Sequence, residues 1–285
     1  MLNFPIVDTH LHMWNPQIIR YPWLDDNPFL NKPYLMNDYD RACDSVNVDK
    51  LVFIQCEAAF SQFMKEVEWV DSLANDDNRL QAIVAWSPLE NGDAVRPILE
   101  NLALNPRIKG VRRLIASEPD AEFCIRPKFI QGVQALADYG LSFDITLAHQ
   151  HRSNISKLVA QCPDVQFVLD HIGNPDIKNG LLDPWRAEIK TLSEYSNVWC
   201  KISSLPTLAD HQHWTEEQLK PYIDHVLECF GFDRVMYGGD WPVASQAIDY
   251  PHWVDILCRA VDGCSTTELT KLFRDNAITF YRLDE

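Results

Sequence analysis

A chain of 285 residues with 46% apolar residues has the material for one large core and the composition of a folded chain rather than a disordered one. Its formal net charge of −16, with an isoelectric point near 4.9, argues against nucleic acid or anionic membrane surfaces as partners. No apolar run approaches the ~20 residues of a membrane helix, and no basic segment followed by an apolar one opens the chain, so a cytoplasmic location is expected.

In chain order, short β-type apolar runs alternate with longer helical patterns. A strand is predicted over Phe4–His10, ending in His10-Leu11-His12. Next comes a long loop, about residues 15–37, rich in Pro and aromatics and without periodicity; long ordered loops are often functional. Strand Leu51–Gln55, helix Gln62–Leu73, strand Gln81–Trp86 and helix Ala94–Leu104 follow. The pattern continues through strand Ile108–Leu114, helix Pro127–Tyr139, strand Leu141–Leu147 and helix Asn154–Gln161. It ends with strand Gln166–His171, helix Asp183–Tyr195, strand Val198–Ser203, helix Glu216–Phe230 and strand Val235–Asp240. The helix at Glu216–Phe230 is the clearest, with Leu219, Tyr222, Ile223, Val226, Leu227 and Phe230 on one face and Thr215 with Gln218 as a capping box.

Strand–helix alternation implies a parallel sheet, and eight repeats predict a single (β/α)₈ TIM barrel spanning residues 1–285. The eight cysteines are scattered without a Cys-x-x-Cys pair and are expected to be reduced thiols. Whether the barrel forms a homodimer is left open.

Active sites of such barrels lie at the C-terminal strand ends, and titratable residues gather there in this sequence. His10 and His12 share one face of the first strand by the i, i+2 rule, a pairing that suits a divalent metal once a carboxylate completes the set. Asp240 supplies that carboxylate if the first and last strands are neighbours. Gln55 and Glu57 share a face at the second strand and are candidates for substrate hydrogen bonding. Arg112 and Arg113 take opposite faces of the fourth, so only one can enter the barrel, and the periodicity does not decide which. His149 and His151 follow the fifth strand. At the sixth, His171 is the candidate and its neighbour Asp170 is read as structural. Lys201 is a weak candidate against a surface lysine. Trp14, Tyr21, Trp23 and Trp241 lie near the mouth, where one could stack on a substrate ring while the others pin the loop. His211 and His213 fall in a polar loop and are read as solvent-facing.

Taken together, VDTHLHMWNP and RYPWL, LVFIQCE, IKGVRRLIASEPD, LSFDITL, VQFVLDHIGNPDI, MYGGDWPV and NAITFY resemble, in order and spacing, the amidohydrolase superfamily. Within it the resemblance is to the metal-dependent hydrolases that include L-fuconolactonase and L-rhamnonolactonase. It implies a barrel enzyme opening a sugar-acid lactone, with small-molecule lactones as partners, and site roles for His10, His12, His171 and Asp240. It further implies one divalent metal, zinc first, although a related group acting on a carboxylated pyrone works without metal, so metal-free catalysis stays open. No position for a carboxylated lysine is evident. The group commonly reads Gly-Ser-Asp-Trp after the last strand, whereas this chain reads Gly238-Gly239-Asp240-Trp241. On this reading Asp240 is the general base, with His10, His12 and His171 as ligands or carbonyl polarisers. Gln55, Glu57, His149, Trp14, Trp241 and one of Arg112 and Arg113 are candidate substrate contacts. The rival readings are a metal-dependent decarboxylase on the same barrel, a lactonase acting on a carboxylated pyrone, and a barrel that binds a ligand without turnover, against which the intact His/His/His/Asp set argues.

Overall fold

A computed structural model of the chain describes residues 2–284. Eight parallel strands form one sheet in sequence order: β1 (Ile6–Leu11), β2 (Val48–Ile54), β3 (Leu80–Ala85), β4 (Ile108–Val111), β5 (Ser142–Ile145), β6 (Phe167–Leu169), β7 (Val198–Ser203) and β8 (Val235–Gly238). Each is followed by a helix: α1 (Met36–Cys43), α2 (Phe63–Ala74), α3 (Arg96–Ala103), α4 (Pro127–Ala135), α5 (Arg152–Gln161), α6 (Trp185–Ser193), α7 (Glu216–Phe230) and α8 (Tyr250–Ala260). Two short helices, α9 (Thr266–Thr270) and α10 (Asn276–Tyr281), end the chain. The architecture is the expected (β/α)₈ barrel. Among the described residues no helix is long and apolar enough to cross a membrane.

The two faces of the strands feed two cores. Outward residues such as Phe53, Phe143 and Phe167 pack under the helices. Inward residues Val7, Val52, Ile54, Ala82, Val84, Val168 and Met236 meet Ala277, Phe280 and Tyr281 of α10, so the chain end plugs the barrel. Arg282 Nη2 donates to the Gly140 carbonyl (2.9 Å) at the start of β5, which places this plug at the N-terminal, or bottom, end. The capping box of α7 forms: Thr215 N donates to Gln218 Oε1 at 3.0 Å.

Several strands are shorter than the apolar runs that announce them. β4, β5, β6 and β8 stop two or more residues before the expected ends, because the backbone leaves the strand conformation where it enters the site. The segment expected as a loop over 15–37 is ordered around Trp14, which pairs with Tyr34 in an isolated bridge and donates its indole N–H to the Leu30 and Lys32 carbonyls.

Phe280 fills the bottom of the barrel with 6% exposure. Phe280→Ala is expected to lower the free energy of unfolding by about 3–5 kcal/mol, read from the urea midpoint.

Candidate active site

The site is built on the seam between β1 and β8. Along β1 the pairing runs from Asp8, opposite Leu51, to Leu11, opposite Phe53, so β1 advances three residues while β2 advances two. This bulge breaks strict alternation. Asp8 turns outward, to α1 and α8, while His10 and His12 both turn into the mouth, their ring centroids 4.9 Å apart. The fully buried Asp8 carboxylate accepts from four donors: the amides of His10 (2.9 Å) and Gly239 (2.8 Å) and the hydroxyls of Tyr39 (3.1 Å) and Tyr250 (2.9 Å). Burial pushes this carboxyl up, and the four donors pull it back. Across the seam, Asp240 N donates to the His10 carbonyl (2.7 Å) and His12 N to the Trp241 carbonyl (2.8 Å).

Hydrogen-bond partners assign the imidazole protons. His12 Nδ1 lies 2.8 Å from the Ile54 carbonyl, which only accepts, so Nδ1 carries the proton and Nε2 keeps its lone pair. That Nε2 is 3.4 Å from Asp240 Oδ1. His10 Nε2 lies 3.4 Å from Arg112 Nη1, which only donates, so Nε2 again keeps the lone pair; it is 3.7 Å from Asp240 Oδ1. Burial holds both imidazoles below the ordinary histidine range and therefore neutral. Burial pushes Asp240 up, but His171, His12 and His10 outweigh it and hold the carboxylate below its ordinary range, ionised. Two lone pairs and a carboxylate facing one another draw positive charge, either a proton on an imidazole, which is how these histidines pull Asp240 down, or a metal ion. The three donor atoms lie within 4.8 Å of one another, and a His/His/Asp set of this kind fits a divalent ion.

His171 comes from the end of β6, its ring 4.5 Å from that of His10 and its Nδ1 2.8 Å from Ser203 Oγ. Left-handed backbone concentrates at these strand ends: Glu57 (φ 55°), His171 (49°), Ile172 (49°), Ser204 (54°) and Asp240 (54°). Such conformations are costly for non-glycine residues and cluster at functional sites. Hydrogen bonds hold the β6 turn, from Trp185 Nε1 to the Ile172 carbonyl (2.7 Å) and from Asn174 Nδ2 to the Leu147 carbonyl (2.7 Å).

The structure separates the two arginines. Arg112 enters the barrel, buried, with Nη2 donating to the Gln55 carbonyl (2.5 Å) and Nη1 3.5 Å from Asp170 Oδ2. Arg113 pairs with Glu90 (3.1 Å) and Glu118 (2.5 Å) off the centre. Gln55 is buried and bonded to Glu57 (2.7 Å). Glu57 lines a cavity of about 350 Å³ with Trp23, Phe60, Trp86 and Arg113. His149 is exposed and lines a larger cavity of about 760 Å³ with Asn174, Thr207 and His211. His151 is buried and turned to the Glu118 carbonyl (3.0 Å). Trp14 is fully buried, edge-to-face with Trp23 and Tyr34, and Trp241 is buried against Tyr34 and Tyr39, so both pin the loop.

Beneath the histidines lies a charged layer that sequence reasoning did not assemble. Lys201, a weak site candidate weighed against a surface lysine, is fully buried, with Nζ 2.6 Å from Asp144 Oδ2 and 3.1 Å from Asp170 Oδ1. Burial pushes Asp170 up, but Lys201 and His10 hold it well below the ordinary carboxylate range. The signal was present: Asp144 in Leu-Ser-Phe-Asp-Ile and Lys201 in Val-Trp-Cys-Lys-Ile are lone charges within apolar strands, which is how a buried pair reads in sequence.

The chain matches the family model described as Amidohydrolase over residues 7–283. It is 29% identical to an uncharacterized protein of Sinorhizobium fredii over 99% of this chain and 100% of the relative. It is 25% identical to L-fucono-1,5-lactonase of Burkholderia ambifaria over 98% of this chain and 96% of the relative. A crystal structure of an amidohydrolase from Burkholderia multivorans with bound zinc shares the fold with a TM-score of 0.88, at 25% identity, covering 99% of this chain and 100% of that one.

A Cβ on Gly239 would meet Tyr250 Cε2 at 2.4 Å and Asp8 Oδ2 at 2.5 Å. Gly239→Ser, the residue common at this position in the group resembled, is therefore expected to destabilise this chain by about 1–3 kcal/mol, measured by thermal denaturation.

Proposed function

The chain belongs to the amidohydrolase family, and from that premise we propose that it hydrolyses cyclic esters and that its substrate is a sugar-acid lactone of the L-fucono or L-rhamnono type, opened to the hydroxy acid. The observation that carries this reading is the buried cluster in which Asp240 faces the Nε2 atoms of His10 and His12. The names of relatives, L-fucono-1,5-lactonase at 25% identity and L-rhamnono-gamma-lactonase of Scheffersomyces stipitis at 21%, support the substrate class.

His10, His12 and Asp240 would hold one divalent ion, with zinc favoured by the bound ion of the Burkholderia multivorans structure. Bound there, such an ion supplies positive charge that acidifies water and polarises a carbonyl. Asp240 acts as general base, taking a proton from the attacking water as the oxygen joins the lactone carbonyl carbon. His171, its Nδ1 engaged by Ser203, turns its other nitrogen to the carbonyl oxygen as negative charge develops there. When the ring carbon–oxygen bond breaks, Asp240 returns the proton to the departing ring oxygen, and the product acid then ionises to release one proton to solvent. Glu57 and His149 supply hydrogen bonds to the sugar hydroxyls from the two flanking cavities, and Gln55 orients Glu57 from beneath. Arg112 supports the site from below, and Arg113 lines its rim.

A pH-indicator assay over a panel of aldonolactones tests the reading. Acid release is expected from L-fucono- or L-rhamnonolactone, lost on chelation and restored by zinc; carbon dioxide release in place of acid would instead favour decarboxylation. Asp240→Asn is expected to lower kcat/KM by about 10²–10⁴-fold, and a variant with full activity would refute the assignment of the base.

A further inference from the structure

We propose that Lys201 is a positioning residue for His10, acting through Asp170, and that Asp144 and Tyr281 anchor it from the bottom of the barrel. The proposal rests on the reading of His10 as part of the active site.

The chain of contacts is continuous and buried. Tyr281, from α10, donates its hydroxyl to Asp144 Oδ2 at 2.8 Å. The same oxygen is 2.6 Å from Lys201 Nζ, which is 3.1 Å from Asp170 Oδ1. That Asp170 oxygen is 3.4 Å from His10 Nδ1, and Asp170 Oδ2 is 3.5 Å from Arg112 Nη1. The side chains of His10, Asp144, Asp170 and Lys201 are all at 0% exposure. The last link is a few tenths longer than an N–H···O hydrogen bond, so Asp170 orients the imidazole mainly by charge.

The charges explain why Lys201 is needed. Asp144 and Asp170 are two anions, and Lys201 and Arg112 are the two cations that balance them in a region closed to water. Thr146 Oγ1 donates to Asp170 Oδ2 at 2.7 Å and Arg112 lies near that same oxygen, whereas Oδ1, the oxygen facing His10, has Lys201 as its close contact at 3.1 Å. Asp170 held by that contact keeps the His10 proton on Nδ1, and Arg112 on the far side reads the lone pair on Nε2. His10 therefore presents that lone pair to the Asp240 cluster in one orientation. A carboxylate behind a functional imidazole commonly has this effect, and its loss typically costs about 10–100-fold in activity or metal affinity.

Lys201→Met alone leaves two buried carboxylates facing each other and risks unfolding. The double variant Lys201→Met with Asp144→Asn removes one cation and one anion, leaving Arg112 with Asp170, and separates the two possible roles. If Lys201 only neutralises Asp144, the double variant restores everything. If it positions Asp170, the variant folds but His10 loses its fixed orientation. Nitrogen-15 NMR of histidine-labelled protein, with His10 assigned from a His10→Asn spectrum, reads this without substrate. Wild type is expected to show the Nδ1-protonated tautomer at His10, and the double variant a changed Nδ1 signal. The accompanying kcat on the lactone is expected to fall by roughly tenfold or more, with KM altered less than about threefold. An unchanged His10 signal in the folded double variant overturns the proposal. A wild-type protein that opens no lactone defeats the functional reading alone, since the NMR signal is recorded without one.

Discussion

One buried carboxylate holds the seam on which the site depends. Asp8 accepts from the amides of His10 and Gly239 and from two tyrosine hydroxyls, so it ties the start of the barrel to its end. The bulge that turns Asp8 outward is the same one that turns His10 and His12 inward. Without it, strict alternation would send Asp8, His10 and His12 to one side, and the bulged amide of His10 would lack its partner. Gly239 is a glycine for the same reason: Asp8 and Tyr250 occupy the space a side chain would need.

Above this seam and through the barrel, chemistry is arranged in layers along the axis. Apolar side chains and α10 close the bottom. A balanced layer of Asp144, Lys201, Asp170 and Arg112 follows. The imidazoles come next, neutral because they are buried, and Asp240 faces them, ionised. The closed charged layer keeps the lower part of the barrel unavailable to substrate, and the two cavities open to either side of the mouth, one over β5–β7 and one over β2–β4. Burying so many charged groups costs stability unless each is paired, and the left-handed residues at four strand ends add to that cost. Such a concentration of strain and desolvated charge at one end of a fold is what a catalytic site requires of its scaffold.

Much of this was legible in the chain. Eight apolar runs with six helical patterns among them gave the barrel, because each parallel strand buried on both faces reads as an unbroken apolar segment; the helices at Met36–Cys43 and Tyr250–Ala260 were not read from the chain. His10, His12, His171 and Asp240 were visible as titratable groups where such segments end, and the structure brings all four together. What could not be read was anything governed by departure from ideal strand geometry. The i, i+2 rule put Asp170 on the side of β6 away from His171, but β6 ends at Leu169 and the left-handed turn at His171 lets both residues reach His10. The same rule could not choose between Arg112 and Arg113. Lys201 was a weak candidate against a surface lysine because its partners, Asp144 and Asp170, lie on two other strands. Of the aromatics at the mouth, one could have been a platform and most were read as pinning the long loop; Trp14 and Trp241 both do the latter, buried against Tyr34.

The central claim is that the seam gathers three electron-pair donors, from His10, His12 and Asp240, that together fit one divalent ion. Calorimetric titration of the chelator-treated protein with zinc tests it most directly, in the wild type and in His12→Ala. The account predicts one ion bound per chain, with binding lost or strongly weakened in His12→Ala. A folded wild-type protein that binds no zinc, or a His12→Ala variant that binds it equally well, would contradict it.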